Sequence, residues 1–300
     1  MSISNEISPF LQMIMSGTAA STGELCTIPF DTAKVRLQNQ VPNSQGLLQY
    51  RGLLDVLKQM GRDEGLSALW KGSSAGVQRQ MAFAPIRIGL YEPVRNFYMQ
   101  GKSGEPDIFT RIAAGLTTSA IGITIASPTD VVKVRLQAEG RLPEGATRRY
   151  NGSIDAYKKI IRNEGLGGLW TGYGANLARN CVVNATELVA YDSAKAFFLS
   201  TEYFQDNIFT HIASGLSAGL AATLLGSPID VIKTRTMASS EAGVSAMQVA
   251  ITTLKTEGPL AFYKGFIPNF ARIGSWNIVT WVTLEKLKSL YIANQNNDEN

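Results

Sequence analysis

The chain has 300 residues, 45% of them hydrophobic but only 17% charged, where an ordinary soluble domain carries roughly 25% charged residues. That deficit points to a membrane, yet the mean hydropathy is +0.00 and no uninterrupted apolar run of about 18 residues exists, which excludes a bundle of uniformly apolar spans. The net charge of +4, without a dense Lys/Arg run interleaved with aromatics, favours an anionic surface or solute over nucleic acid.

Helices with one face to lipid and the other to a polar interior reconcile these facts. The start, MSISNEISPF, lacks the basic-then-apolar build of a leader and the Arg-rich character of a transit peptide, so any organelle address is expected inside the mature sequence. A first long helix is predicted over 1–38. It passes through the small-residue stretch Ser16–Phe30, which suits close helix packing in lipid, and is kinked at Pro29 within PFDTAKVRLQ. A short amphipathic helix follows in Asp55–Gly65, then EGLSALWKG (Glu64–Gly72), then a second long helix over 73–100 that carries YEPVR (Tyr91–Arg95). The same order returns twice. PTDVVKVRLQ starts at Pro128, EGLGGLWTG at Glu164 and YDSAK at Tyr191; PIDVIKTRTM starts at Pro228, EGPLAFYKG at Glu257 and LEKLK at Leu284. Three markers in one order, three times, define a repeat architecture. The repeats are predicted at 1–103, 104–203 and 204–300, forming one structural domain. Further long helices are expected over 107–137, 173–200, 206–236 and 266–292, with a short helix in Ala156–Gly165 and a third short one between the last two. The fold class is an all-α membrane protein: six transmembrane helices in a pseudo-threefold bundle, three short helices on one surface, and both termini on the other.

The charges follow the repeat. Asp31 with Lys34, Asp130 with Lys133, and Asp230 with Lys233 share helix faces beside the kinking prolines Pro29, Pro128 and Pro228. Ionisable groups inside a membrane must pair and usually mark function. On the even helices Glu92, Asp192 and Glu285 stand three residues before Arg95, Lys195 and Lys288. Two such networks, closing alternately, supply the physics of alternating access. Arg79, Arg179 and Arg272 each precede the even-helix acid by the same interval and are therefore symmetry-equivalent; Arg87 adds a fourth cation. Uncompensated arginines in a dry bundle are costly, so these point to a water-filled cavity that holds anions. Glycines at the starts of the short and even helices, Gly52, Gly72, Gly152, Gly172 and Gly265, suit either plain caps or phosphate binding.

Other patterns carry no chemistry. GLSAG at Gly215 lies in a helix, not after a strand, and the single His211 precedes it. GKS at Gly101 lacks the upstream glycine of a phosphate loop. Cys26 and Cys181 make neither a disulfide framework nor a metal pair. No metal site, no enzyme cofactor and no catalytic constellation are expected.

The threefold Pro-X-Asp-X-X-Lys-X-Arg motif, with the Glu-Gly…aromatic-X-Gly element, resembles the mitochondrial carrier family across essentially the whole chain. Within that family the chain is most similar to uncoupling proteins, in the plant-type uncoupling protein and dicarboxylate carrier clade, through CTIPFDTAKVRLQ, RIGLYEPVR, NATELVAYDSAKAF and RIGSWNIVTWVTLEKLK. Thr171, Met237, Leu284 and a short third loop depart from the family pattern. The resemblance implies a matrix gate of Asp31–Lys133, Asp130–Lys233 and Asp230–Lys34, braced by Gln38 and Gln137, with Met237 unable to brace. It implies a cytoplasmic gate of Glu92–Lys195, Asp192–Lys288 and Glu285–Arg95. Arg87, Arg179 with Asn180, and Arg272 match the substrate contact points, and Glu187 and Trp276 match cavity residues. Cardiolipin is implied at the five glycines, and purine nucleotides as inhibitors. The implied function is transport of small anions (dicarboxylate, amino acid or phosphate) across the mitochondrial inner membrane by a monomeric carrier, both termini in the intermembrane space, with a fatty-acid-dependent proton leak. Two alternatives stand beside it: a dicarboxylate or oxoglutarate exchanger without uncoupling activity, and a carrier fold kept as a structural subunit of a larger membrane complex.

Overall fold

The computed structural model describes residues 9–40, 48–99, 104, 106–140, 148–201, 208–239 and 244–298. Among them the chain is helical and holds no strand. Each third of the chain gives a long helix, a short helix with a 3-10 turn, and a second long helix: α1 (Pro9–Asn39), α2 (Leu53–Asp63), α3 (Ser73–Met99); α4 (Ile108–Ala138), α5 (Ser153–Glu164), α6 (Tyr173–Leu199); α7 (Ile208–Ala238), α8 (Ala246–Glu257), α9 (Phe266–Asp298). The helix expected over 1–38 is described only from Pro9. The last helix runs six residues beyond the expected end at 292, because nothing in ANQNND breaks a helix as a proline would.

The six long helices follow one another round a ring: α1 packs on α3, α3 on α4, α4 on α6, α6 on α7, α7 on α9, and α9 returns to α1. Inside it α1, α4 and α7 also touch pairwise. Their C-terminal halves are the most buried part of the molecule; Asp130 to Gln137 is buried without a break. Large apolar side chains such as Phe97, Phe109, Phe197, Ile278 and Trp281 lie exposed on the ring. Two helices, Ile108–Ala138 and Phe209–Ala238, have an 18-residue window of mean hydropathy 1.4, long and apolar enough to cross a membrane.

Pro29, Pro128 and Pro228 each sit inside a helix. A proline has no amide hydrogen, so it leaves the carbonyl four residues earlier without its helical donor. The structure supplies another donor. Trp70 Nε1 donates to the Leu25 carbonyl at 3.1 Å, and Trp170 Nε1 donates to the Thr124 carbonyl at 3.0 Å. These are the carbonyls four before Pro29 and Pro128. Tyr263 stands at the matching place in the third repeat and has no indole to give.

Below the kinks each repeat is tied to the next. Arg36 clasps Glu64 with both ends of its guanidinium, at 2.6 and 3.0 Å, and its Nε donates to the Gln137 carbonyl at the end of α4. Arg135 clasps Glu164 and donates to the Met237 carbonyl at the end of α7. Arg235 clasps Glu257 and donates to the Gln38 carbonyl at the end of α1. The last carbonyls of a helix have no intrahelical partner, so each arginine caps its neighbour while locking its own short helix in place. Lys71 adds a second cation to Glu64 and Lys264 to Glu257; Thr171 leaves Glu164 without one. Burial pushes the Glu64 carboxyl up, but its hydrogen bonds to Arg36 and Lys71 prevail and hold it below the ordinary carboxylate value. Glu257 is shifted the same way for the same causes, with Arg235 and Lys264 as donors.

Candidate functional site

The kinks direct α1, α4 and α7 together, and the acid two residues beyond each proline meets a base from the next helix. Lys34 Nζ lies 2.5 Å from Asp230. Lys133 contacts Asp31. Lys233 stands 3.5 Å from Asp130. All six side chains are buried or nearly so, where a charge persists only if it is paired.

The three symmetry-related arginines join the same carboxylates. Arg272 Nε lies 3.3 Å from Asp31 Oδ1, Arg179 Nε 3.3 Å from Asp230 Oδ1, and Arg79 binds Asp130 Oδ1. These arginines are therefore compensated, contrary to the expectation from sequence, because α3, α6 and α9 begin beside the kinks of α4, α7 and α1. Arg79 also lies over the Phe83 ring, 5.1 Å from its centroid. Each aspartate thus serves one lysine and one arginine on its two oxygens. Among the described residues the hydrogen bonds expected from Gln38 and Gln137 to the ion pairs are not made, because both side chains are directed elsewhere. Gln137 donates instead to Thr32 at 3.4 Å, and Gln38 packs against Gly265.

One carboxylate of this cluster escaped the sequence reading. Glu24 is 2% exposed; it takes Lys133 on Oε1 and the Gln80 amide, at 2.9 Å, on Oε2. Gly76 makes its niche: a Cβ there would come 3.0 Å from Glu24 Oε1. The matching positions hold Ile123 and Thr223, so threefold periodicity gives no hint of it. Six cations (Lys34, Lys133, Lys233, Arg79, Arg179, Arg272) face four carboxylates (Glu24, Asp31, Asp130, Asp230). The surplus is positive, the sign that attracts an anion.

The remaining expected residues lie apart from this cluster or at its rim. Asn180 donates to Asn176, whose own amide reaches Asp130 Oδ2 at 2.9 Å. Trp276 lies one turn along α9 from Arg272, its buried indole N–H unpaired where α9 approaches Gly23. Glu187 is exposed and lines a cavity of about 370 Å³ with Arg111, Ser119, Asn184 and Tyr191, nearer the other end of the bundle. Arg87 belongs to α3, but its side chain lies outside the described residues. At that other end Glu92, Asp192 and Glu285 are exposed, and among the described residues no salt bridge joins them to Lys288 or Arg95; Arg95 turns to Asn96. Gly72, Gly172 and Gly265 have positive φ (82°, 76°, 82°) and abut the ends of α4, α7 and α1 in turn, while Gly52 and Gly152 are extended and unobstructed.

Comparison with known proteins places this geometry in context. The family model described as mitochondrial carrier protein matches three times, over residues 5–102, 104–202 and 204–295. The chain is 53% identical over 278 residues to mitochondrial uncoupling protein 1 of Arabidopsis thaliana, covering 91% of this chain and 90% of that one. It is 48% identical to mitochondrial uncoupling protein 2 of the same plant, covering 96% and 95%. It is 45% identical to a protein of Danio rerio called dicarboxylate carrier UCP2, covering 96% and 94%.

Proposed function

Because the chain belongs to the mitochondrial carrier family, we propose that it carries small dianions of the dicarboxylate class across the mitochondrial inner membrane by alternating access. In this reading the six long helices span the membrane as a pseudo-threefold bundle, α2, α5 and α8 lie on the matrix face, and both termini face the intermembrane space. The observation that carries it is the sharing of Asp31, Asp130 and Asp230 between a lysine and an arginine each. An anion entering among Arg79, Arg179 and Arg272 competes with the aspartates for those guanidiniums, whose planar forks suit a carboxylate. Its binding then weakens the carboxylates' hold and readies the matrix end to open. The exposure of Glu92, Asp192 and Glu285 supports a cytoplasmic end that is open while the matrix end is closed. The fish relative's name, dicarboxylate carrier, supports dicarboxylate transport. The plant relatives' name, uncoupling protein, supports uncoupling as a second activity, which in this reading takes the form of a fatty-acid-dependent proton leak. Purine nucleotides are proposed to block the path by placing phosphates among Arg87, Arg179 and Arg272. Cardiolipin is proposed at the helix starts marked by Gly52, Gly72, Gly152, Gly172 and Gly265, where free amides and the helix dipole favour phosphate.

Uptake of labelled malate, aspartate, oxoglutarate and phosphate into proteoliposomes tests the reading, with proton flux followed with and without fatty acid. Arg272→Ala is expected to lose more than tenfold of the flux, since a charged contact removed in this way is worth about 2–5 kcal/mol. A wild-type protein that moves none of these solutes and conducts no protons sinks the transport reading and leaves a structural subunit. An Arg272→Ala variant as fast as wild type sinks the site.

A further inference from the structure

The three seams between α1, α4 and α7 are built on one plan but are not equally strong. All share the arginine-to-carbonyl link: Arg36 to Gln137, Arg135 to Met237 and Arg235 to Gln38, at 2.9, 3.1 and 2.7 Å. The differences lie elsewhere: extra ties fall on the seam between α1 and α4, and losses on the seam between α4 and α7.

Between α1 and α4, Lys133 is held by two carboxylates of α1, Asp31 and Glu24, and Gln137 reaches Thr32 across the contact. Between α7 and α1, Lys34 meets Asp230 at 2.5 Å. Between α4 and α7, Lys233 stands off Asp130 at 3.5 Å. The reason is visible in what Asp130 does instead. Arg79 of α3 takes one of its oxygens and Asn176 of α6 the other. Its charge is spent sideways, within its own flank of the ring, and Lys233 has no second acid to correspond to Glu24. All three aspartates carry an arginine, but Arg79 hydrogen-bonds to Asp130, whereas Arg272 and Arg179 stand 3.3 Å from Asp31 and Asp230; the closer guanidinium offsets more of the charge that its lysine would feel. Two further departures act on the same seam. Met237, fully buried against Gly172, occupies the place of Gln38 and Gln137 and brings no polar group. Thr171 replaces the lysine that supports the equivalents of Glu164, so Glu164 holds Arg135 alone, and Arg135 is the residue that grips the end of α7.

We propose that the matrix end opens first along the seam between α4 and α7, while the seam between α1 and α4 stays closed as the hinge. The proposal rests on the carrier reading above for what the opening is for, but not for its physics. A threefold cluster with one weak side does not part evenly: the least-held pair separates first, and the two-carboxylate grip on Lys133 separates last. An anion that draws Arg79 off Asp130 returns that charge to Lys233, so the weak seam is also the one that substrate binding changes most.

Thermal unfolding of the purified full-length protein tests the ranking. Of Lys34→Gln, Lys133→Gln and Lys233→Gln, the last is expected to lower the unfolding midpoint least, by under half the shift of Lys133→Gln. An equal or larger shift for Lys233→Gln overturns the proposal. Because a lysine variant can fail to fold, a strengthening pair stands beside it: Thr171→Lys with Met237→Gln is expected to raise the midpoint by roughly 2 °C or more, and no rise also overturns the proposal. Spin labels placed in pairs at positions 39, 138 and 238, the last turns of α1, α4 and α7, give the third readout in liposomes. The 138–238 distance distribution is expected to be the broadest and 39–138 the narrowest; the reverse order counts against the hinge. None of these measurements needs transport. A lost ranking with uptake intact defeats this proposal alone, and an intact ranking without uptake defeats the carrier reading alone.

Discussion

Trp70 Nε1 donates to the carbonyl of Leu25, the one carbonyl in α1 that Pro29 deprives of its helical amide. Trp170 does the same for Thr124 before Pro128. The tryptophan of the Glu-Gly…Trp element and the proline of the charged motif are thus two halves of one device. The kink that brings the charges together leaves a bare carbonyl, and the indole covers it.

Trp70→Phe keeps the ring and removes only the donor. The loss of one net hydrogen bond predicts a destabilisation of about 0.5–1.5 kcal/mol, and the same for Trp170→Phe. Tyr263→Phe removes no such donor from the kink at Pro228 and is expected to cost less. Thermal unfolding of the three variants decides the matter; if Tyr263→Phe is the costliest, the clasp has been misread.

Gly72 combines φ +82° with a close approach, since a Cβ there would stand 3.2 Å from the Lys133 carbonyl. Gly72→Ala therefore forces an L-residue into the left-handed region and into backbone, at a cost of about 1–3 kcal/mol. Gly52 opens α2 in extended backbone with nothing within 4 Å, so Gly52→Ala is expected to stay within about 0.5 kcal/mol. Equal losses of stability in the two would show that steric fit is not what distinguishes them.

Much of this arrangement was legible in the sequence, and what was not has a common cause. Threefold recurrence exposes whatever each repeat shares, hence the nine α-helices of the described residues, the recurring Asp and Lys positions beside the prolines and the equivalence of Arg79, Arg179 and Arg272. It is silent on what one repeat holds alone. Glu24 has no counterpart at Ile123 or Thr223, and Gly76 reads as one more small residue until its niche is seen. Recurrence also names residues without naming their partners. Arg36, Arg135 and Arg235 recur beside the lysines, and Glu64, Glu164 and Glu257 recur before glycines, yet only the fold shows that they clasp one another. The same blindness made the three cavity arginines look unpaired, because their aspartates lie on other helices.

The clasp of Glu64 by Arg36 and Lys71 makes stability depend on pH. Burial raises the Glu64 carboxyl, its hydrogen bonds to Arg36 and Lys71 lower it by more, and its net pKa is depressed from the ordinary 4.5. A depressed carboxylate contributes stability that is fully present above its unfolded value and is lost as pH falls through the folded one. The unfolding midpoint should thus hold from neutral pH to about pH 5 and drop below the ordinary carboxylate range. Glu64→Gln should flatten that drop, and Lys71→Ala should move it to higher pH by relaxing the depression. A Glu64→Gln profile that superimposes on wild type would place the acid sensitivity elsewhere.

Glu24 offers the sharpest separation of structure from transport. It gives Lys133 a second carboxylate and satisfies the Gln80 amide inside the Gly76 niche. Glu24→Ala leaves that amide buried without a partner and Lys133 with Asp31 alone, a loss of about 1–3 kcal/mol for each unsatisfied group. Glu24→Gln keeps the volume and an acceptor for Gln80 while removing the charge, so it should recover the part of the stability that the Gln80 contact supplies and not the part that Lys133 draws from the second carboxylate. The charge removed is one of four carboxylates set against six cations, and its loss raises the positive surplus that draws an anion. Glu24→Gln is therefore expected to bind a dianion more tightly and to release it more slowly, with a lower half-saturation for malate uptake and a lower maximal rate. Glu24→Ala should lose stability first and flux with it. Uptake kinetics and unfolding midpoints on both variants separate the two effects. If Glu24→Gln is as unstable as Glu24→Ala, the carboxylate's charge rather than its fit holds the niche, and unchanged kinetics in a stable Glu24→Gln would remove Glu24 from the anion path.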